Sequence, residues 1–229
     1  KVLKSGFYVS IQGKGRVGFA AKGVPVSGAM DSYSADLANH ILNNSLEDAV
    51  VEITFGGCEF QFTKKTTICI SGGDISAKIN KQIIKLNSRI RVKENDVLSF
   101  GKVNFGVRSY LAIKGGFCSE KKLGSRSFYQ NITPNFLIIK NDVIPYSDYE
   151  EGLTSTNTSI KIDNHHFDSI ILDCYKGPEF ELLNDFQQKE ITKKCFTISK
   201  DNNRMGYRLI EKLENNLPQI LTTAVLPGT

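Results

Sequence analysis

No stretch of this chain is apolar for long enough to cross a bilayer. The best runs, DAVVEITF and NFLIIK, are strand-sized, well short of the about 20 residues a helical span requires. The N-terminal KVLKSGFYVS has neither a long apolar stretch nor a small-residue cleavage site and does not read as a signal peptide. With no initiator methionine, the chain reads as trimmed. Cysteine is sparse, and the five present (Cys58, Cys69, Cys118, Cys174, Cys195) are odd in number and far apart. None forms the short pairs that zinc or thiol redox chemistry needs, so the expectation is reduced, mostly buried thiols in a cytoplasmic protein. The net charge of +5 is broken into doublets such as Lys64-Lys65, Lys121-Lys122 and Lys193-Lys194. A nucleic-acid binder would carry a basic stripe interleaved with aromatics, so these lysines read as solvated surface, with neither nucleic acid nor membrane as partner. Histidine is equally scarce. His165 and His166 are adjacent, and in a strand they would point to opposite faces, while His40 has no nearby partner. No metal set and no Ser-His-Asp order emerge, and no Gly-Lys-Ser/Thr triplet closes a Walker A loop.

What is present is a globular composition of 229 residues, 40% apolar and 23% charged, enough for one large domain or two small ones. Short strand patterns dominate: Phe7 to Ile11, Val50 to Phe55, Cys58 to Phe62, Thr66 to Ser71, Ile75 to Ile79, Arg89 to Val92, Asp96 to Phe100 and Arg108 to Ile113. Gly72-Gly73-Asp74 reads as a turn, and Asn80-Lys81 as a tight hairpin. Such spacing predicts a mainly β protein with a few helices, of barrel or sandwich type. One helix follows Asp31, with Leu37, Ala38, Ile41 and Leu42 on one stripe, capped by Asp31 or Ser32 and ended by Asn43-Asn44. Further helices are expected at Glu179 to Phe186 and, more weakly patterned, at Gly206 to Leu213. The polar SDYEEGLTSTNTS segment at 147–159 sets the expected boundary, with one β-rich lobe over 1–146 and a second over 147–229.

Glycine is concentrated from Gly15 to Gly28, directly ahead of the first helix. The Ser27-Gly28-Ala29-Met30-Asp31 turn delivers the chain into a helix N-terminus, where unpaired amides favour an anion. The same residues also serve as a plain turn and cap. Arg108 lies within a β pattern, and two uses are open to it: pairing with Asp31 or Glu52, or forking onto a substrate carboxylate. Gly124-Ser125-Arg126-Ser127 places two hydroxyls around a guanidinium. Arg204-Met205-Gly206-Tyr207-Arg208 sets two guanidiniums beside a glycine and a tyrosine, a faint echo of Arg16-Val17-Gly18-Phe19.

GRVGFAAKGVPVSGAMDSYSADLAN, EITFGGCEF, SGGDISAKIN, GVRSYLAIKGGF, LGSRS, KGPEF, RMGYRL and VLPGT follow one another as they do in the KipA, or allophanate-hydrolase-subunit-2, family, which this chain resembles through nearly its whole length. That family includes one of the subunits of bacterial 5-oxoprolinase and the carboxyltransferase half of urea carboxylase. Two departures stand out. Gln12-Gly13-Lys14-Gly15-Arg16 replaces a family Gln-Asp-x-Gly-Arg, and the family continues past PGT to a Gly-Gly-Tyr-Pro motif, so the second lobe is expected to be truncated. The resemblance implies a two-lobed fold with cyclophilin-like β-barrel character, a KipI-like partner subunit and, in 5-oxoprolinase, a third subunit of the LamB/YcsF type. It implies an ATP-dependent opening of 5-oxoproline to glutamate, with phosphate as the leaving group. Arg108, Asp31 and Arg204 are then the catalytic candidates, and Arg16, Ser27, Gly28, Ser125, Arg126 and Tyr207 the substrate or anion contacts. Asp31 is the nearest to a general base. The alternative implied activity is carboxyl transfer from biotin carried on another protein, because Met30 and Met205 precede Asp31 and Gly206 rather than a biotin-accepting lysine. A third is a non-catalytic regulator acting on a KipI-like kinase inhibitor.

Overall fold

A computed structural model describes residues 1–147, 162, 171, 173–177, 179–202 and 206–214. The chain falls into two compact units, residues 1–159 and 160–229.

Among the described residues the first unit holds ten antiparallel strands: β1 (Val2–Lys4), β2 (Tyr8–Gln12), β3 (Val50–Thr54), β4 (Glu59–Gln61), β5 (Thr66–Asp74), β6 (Lys78–Ile79), β7 (Gln82–Ile83), β8 (Ile90–Val92), β9 (Val97–Ser99) and β10 (Phe105–Ile113). They form two five-stranded sheets, ordered β1-β4-β9-β6-β7 and β2-β3-β10-β5-β8. The mainly β class is the one the sequence predicts. In place of a closed barrel, both sheets stay open among the described residues. The first is built from strands of only two or three residues, too short to wrap. Its β1 edge is covered by loop backbone, with Val2 N–H donating to Asp142 O and Asn141 N–H to Val2 O, both at 2.9 Å. Side chains of both sheets meet in one apolar core that includes Val9, Ile11, Val51, Ile53, Phe60, Ile68, Ile70, Leu98, Leu111 and Ile113.

The second sheet is buried on both faces. Alternation sends Val51 and Ile53 into the core and leaves Glu52 on the opposite face. Helix α1 (Ser32–Ile41) packs across β5 and β10, burying Ala35, Leu37, Ala38 and Ile41. Asp31 caps it, with Oδ1 accepting from Ser34 N–H at 3.0 Å. Asn43 ends it with φ +52°, and Asn44 Nδ2 donates to Ile113 O at 2.7 Å.

Two local expectations meet different outcomes. Gly72-Gly73-Asp74 is not a turn: β5 runs through it, because the glycines let β10 pass where side chains would collide. A Cβ on Gly72 would sit 2.7 Å from Arg108 O, and one on Gly73 would sit 2.9 Å from Phe105 O. The pairing shifts register there, between Phe105↔Asp74 and Ser109↔Gly72. The Asn80-Lys81 hairpin forms as expected, with positive φ at both central residues.

In the second unit a short 3-10 turn (Phe180–Leu182) precedes helix α2 (Asp185–Lys193), so the helix expected from Glu179 starts six residues later. A capping box explains the new start: Gln187 N–H donates to Asn184 Oδ1 at 3.0 Å, and Asn184 N–H to Gln187 Oε1 at 2.9 Å. No helix forms over the described residues 206–213. A single antiparallel bridge forms there instead, Ile198 with Leu209, with Ile210 N–H donating to Thr197 O at 2.9 Å.

Candidate functional site

The glycine-rich loop after β2 folds back on itself. Arg16 N–H donates to Val26 O at 2.6 Å, and Ala29 N–H to Gly13 O at 3.0 Å. Gly28 has φ +100° and would set a Cβ 3.0 Å from Gly13 O, so glycine is required by both conformation and space. Ser27 adopts φ +54°.

Arg16 is 1% exposed. Its Nε donates to Lys122 O at 3.1 Å, one terminal nitrogen to Ser27 Oγ at 2.7 Å and the other to Ser127 O. Burial pulls its pKa below the usual arginine value, while charge-assisted bonds to three oxygens hold the guanidinium in place. The segment it grips is closed by its own bonds. Lys122 and Ser125 exchange backbone hydrogen bonds, Ser127 N–H donates to Ser125 Oγ at 3.1 Å, and Gly13 N–H donates to Ser127 Oγ at 2.9 Å. Arg126 donates to Ser119 O. Arg16, Ser27, Gly28, Ser125 and Arg126 therefore come together in one knot whose donors are largely turned inward.

At the entry to α1, Met30 N–H donates to Glu52 Oε2 and Asp31 N–H to Tyr110 Oη, both at 2.8 Å. Together with Ala29 N–H, three amides of the Ser27–Asp31 turn are bonded within the protein. Asp31 spends both carboxylate oxygens on Ser34, one on its amide and one on its hydroxyl.

Beneath this turn a polar row crosses the second sheet. Register places Ser10 opposite Glu52, Glu52 opposite Tyr110, and Tyr110 opposite Ser71, and all four side chains are fully buried. Tyr110 faces Glu52 across the ladder; burial, and then the Glu52 charge, push its phenol well above the usual range. Arg108 lies diagonally across from Glu52, with Nε 3.7 Å from Glu52 Oε1 and a side chain 23% exposed. That distance gives attraction without a hydrogen bond. Among the described residues, none of the Arg108 N–H groups has a hydrogen-bond partner, although Nε itself is buried. Sequence reasoning offered Glu52 only as one of two possible partners of Arg108 and gave Tyr110 no role. The available signal was a single acid inside the apolar run VVEIT, which cannot stay buried without partners.

Tyr207 is exposed in the second unit. Arg204, His165 and His166 lie outside the described residues. Cysteine burial is less general than expected: Cys58 and Cys69 are buried, their thiols pushed up to about 12 by desolvation, but Cys118, Cys174 and Cys195 are exposed. All three exposed thiols lie outside the core strands. Among the described residues no His, Cys, Asp or Glu side chains gather in threes, and no helix is long and apolar enough to cross a membrane.

Among the described residues, then, an open two-sheet β unit carries a polar, helix-covered face with Arg108 at its edge. Residues 22–229 match the carboxyltransferase domain, subdomain A and B, and the chain belongs to that family. It is 32% identical over 227 residues to a urea amidolyase of Lachancea kluyveri, covering 92% of this chain and 12% of that protein. It is 23% identical over 235 residues to a 5-oxoprolinase subunit of Escherichia coli, covering 100% of this chain and 74% of that one. Among solved structures, the urea amidolyase of K. lactis superposes with a TM-score of 0.74 at 29% identity, over 93% of this chain and 14% of that chain. The chain thus spans only a small part of the urea amidolyases it matches.

Proposed function

We propose that this chain is a subunit of an ATP-dependent 5-oxoprolinase, acting in the cytoplasm with KipI-like and LamB/YcsF-like partners, and that it holds the substrate carboxylate on Arg108. The observation that carries this reading is the state of Arg108: half-buried, facing a buried carboxylate at 3.7 Å, with no hydrogen-bond partner among the described residues. A guanidinium in that state is a preorganised fork for a planar carboxylate such as that of 5-oxoproline. Holding that group fixes the lactam ring and the carbonyl to be attacked. The turn amides at Ala29, Met30 and Asp31 are already bonded, so this turn offers no phosphate cradle, and ATP is assigned to the partner subunits. The Asp31 carboxylate is committed to its cap, so the base that activates water is assigned to a partner as well.

Reconstitution with the partner subunits tests the reading. Wild type is expected to release glutamate and ADP from 5-oxoproline and ATP. Arg108→Ala is expected to raise KM for 5-oxoproline about 10- to 100-fold, the loss of a charge-assisted hydrogen-bonded pair. A complex that releases no glutamate would sink it. The second reading, carboxyl transfer from a biotin carrier to a urea-like acceptor, is favoured by the higher identity to urea amidolyase, 32% against 23%. Carboxylated carrier plus urea, supplied to the same complex, separates the two.

A further inference from the structure

We propose that Glu52 and Tyr110 form a positioning pair for Arg108: the phenol occupies the carboxylate so that the carboxylate tethers the arginine by charge alone. The proposal rests on Arg108 being the carboxylate-binding group.

Glu52 is fully buried at the centre of β3, so it touches no substrate. Its Oε2 accepts the Met30 amide at 2.8 Å. The Tyr110 oxygen accepts Asp31 N–H at 2.8 Å, which leaves its single phenolic proton for Glu52, the buried carboxylate directly opposite it in the ladder. Two neutral donors, the Met30 amide and the Tyr110 phenol, thereby engage Glu52. Arg108 is held at 3.7 Å, close enough for its charge to be compensated and too far to surrender a donor. Without the phenol, the carboxylate would complete its shell with the Arg108 Nε–H and draw the fork inward. Without the negative charge, the guanidinium would lose its tether.

The two substitutions therefore act in opposite directions, which general loosening of the fold would not produce. The probe is phenylglyoxal, an arginine-selective dicarbonyl, applied to the full chain with peptide mass spectrometry as the readout. In wild type, Arg108 is expected to label while the buried Arg16 does not. Tyr110→Phe is expected to slow labelling of Arg108 about tenfold, and Glu52→Gln, which keeps an oxygen for Met30 N–H, to accelerate it several-fold. In the reconstituted complex both variants should raise KM for 5-oxoproline about tenfold, with kcat and KM for ATP within about twofold of wild type. Labelling that rises at Arg108 and Arg16 together in both variants, or changes in neither, overturns the proposal. If the labelling signs hold while wild type fails to turn over 5-oxoproline, the positioning stands and the assignment of reaction falls.

Discussion

Arg16 and Arg108 belong to the same unit and do opposite work. Arg16 sits inside a loop knot with 1% of its surface exposed and gives its donors to two backbone carbonyls and a serine hydroxyl. Arg108 sits at the rim of a buried polar row and has given its donors to nothing among the described residues. Both are arginines beside glycines, and both are candidate anion contacts by sequence. The difference is what surrounds them. Backbone carbonyls at a loop crossing saturate a guanidinium, whereas a carboxylate already satisfied by an amide and a phenol restrains one without saturating it.

The contrast can be broken first at Arg16. Arg16→Ala strands two carbonyls and a hydroxyl in the interior and is expected to cost about 4 kcal/mol in chemical denaturation, against less than about 1.5 kcal/mol for the partly exposed Arg108→Ala. Equal costs would mean that the two sites are not different in kind. Gly28→Ala probes the same knot through its backbone. With φ +100° and a Cβ 3.0 Å from Gly13 O, it should lose about 1–3 kcal/mol, while dicarbonyl labelling of Arg108 stays unchanged. The smallest effect is in the pH dependence, and it belongs to the Arg108 side. The folded-state pKa of the Tyr110 phenol is raised by burial and by Glu52, so its contribution is full below about pH 10, the ordinary tyrosine value, and is lost as pH climbs beyond it. Stability should therefore fall more steeply above that pH in wild type than in Tyr110→Phe. The thiols of Cys58 and Cys69, pushed up to about 12, add an alkaline slope of the same sign to both proteins, and the difference curve isolates the phenol. The acceptors around Arg16 do not titrate.

Sequence carried the parts of this arrangement that depend on neighbours along the chain. Helix α1, its Asp31 cap and the Asn80-Lys81 hairpin follow from local period and turn chemistry. The pairing of Arg108 with Glu52 was one of two partners the sequence left open, and the diagonal across β3 and β10 selects it. What stayed hidden depends on cross-strand register. Glu52 and Tyr110 are far apart in sequence, and only the pairing of β3 with β10 sets them side by side. The same holds for Gly72-Gly73, which looks like a turn until a second strand is laid across it. The expected helix after Gly206 failed for a related reason: Ile198 and Thr197 offered that segment a partner, and the partner outweighed its weak helical period.

Arg108 pairs with Thr54 on its β3 side. On its β5 side the ladder slips, and its carbonyl runs close to Gly72 and Gly73, where added Cβ atoms would approach it to 2.7 and 3.0 Å. The guanidinium is thus mounted on a backbone laddered to β3 along one edge and packed against two glycines along the other. A side chain at either glycine would press on that mount, and under the proposed role of Arg108 its effect would be read as a raised KM for 5-oxoproline.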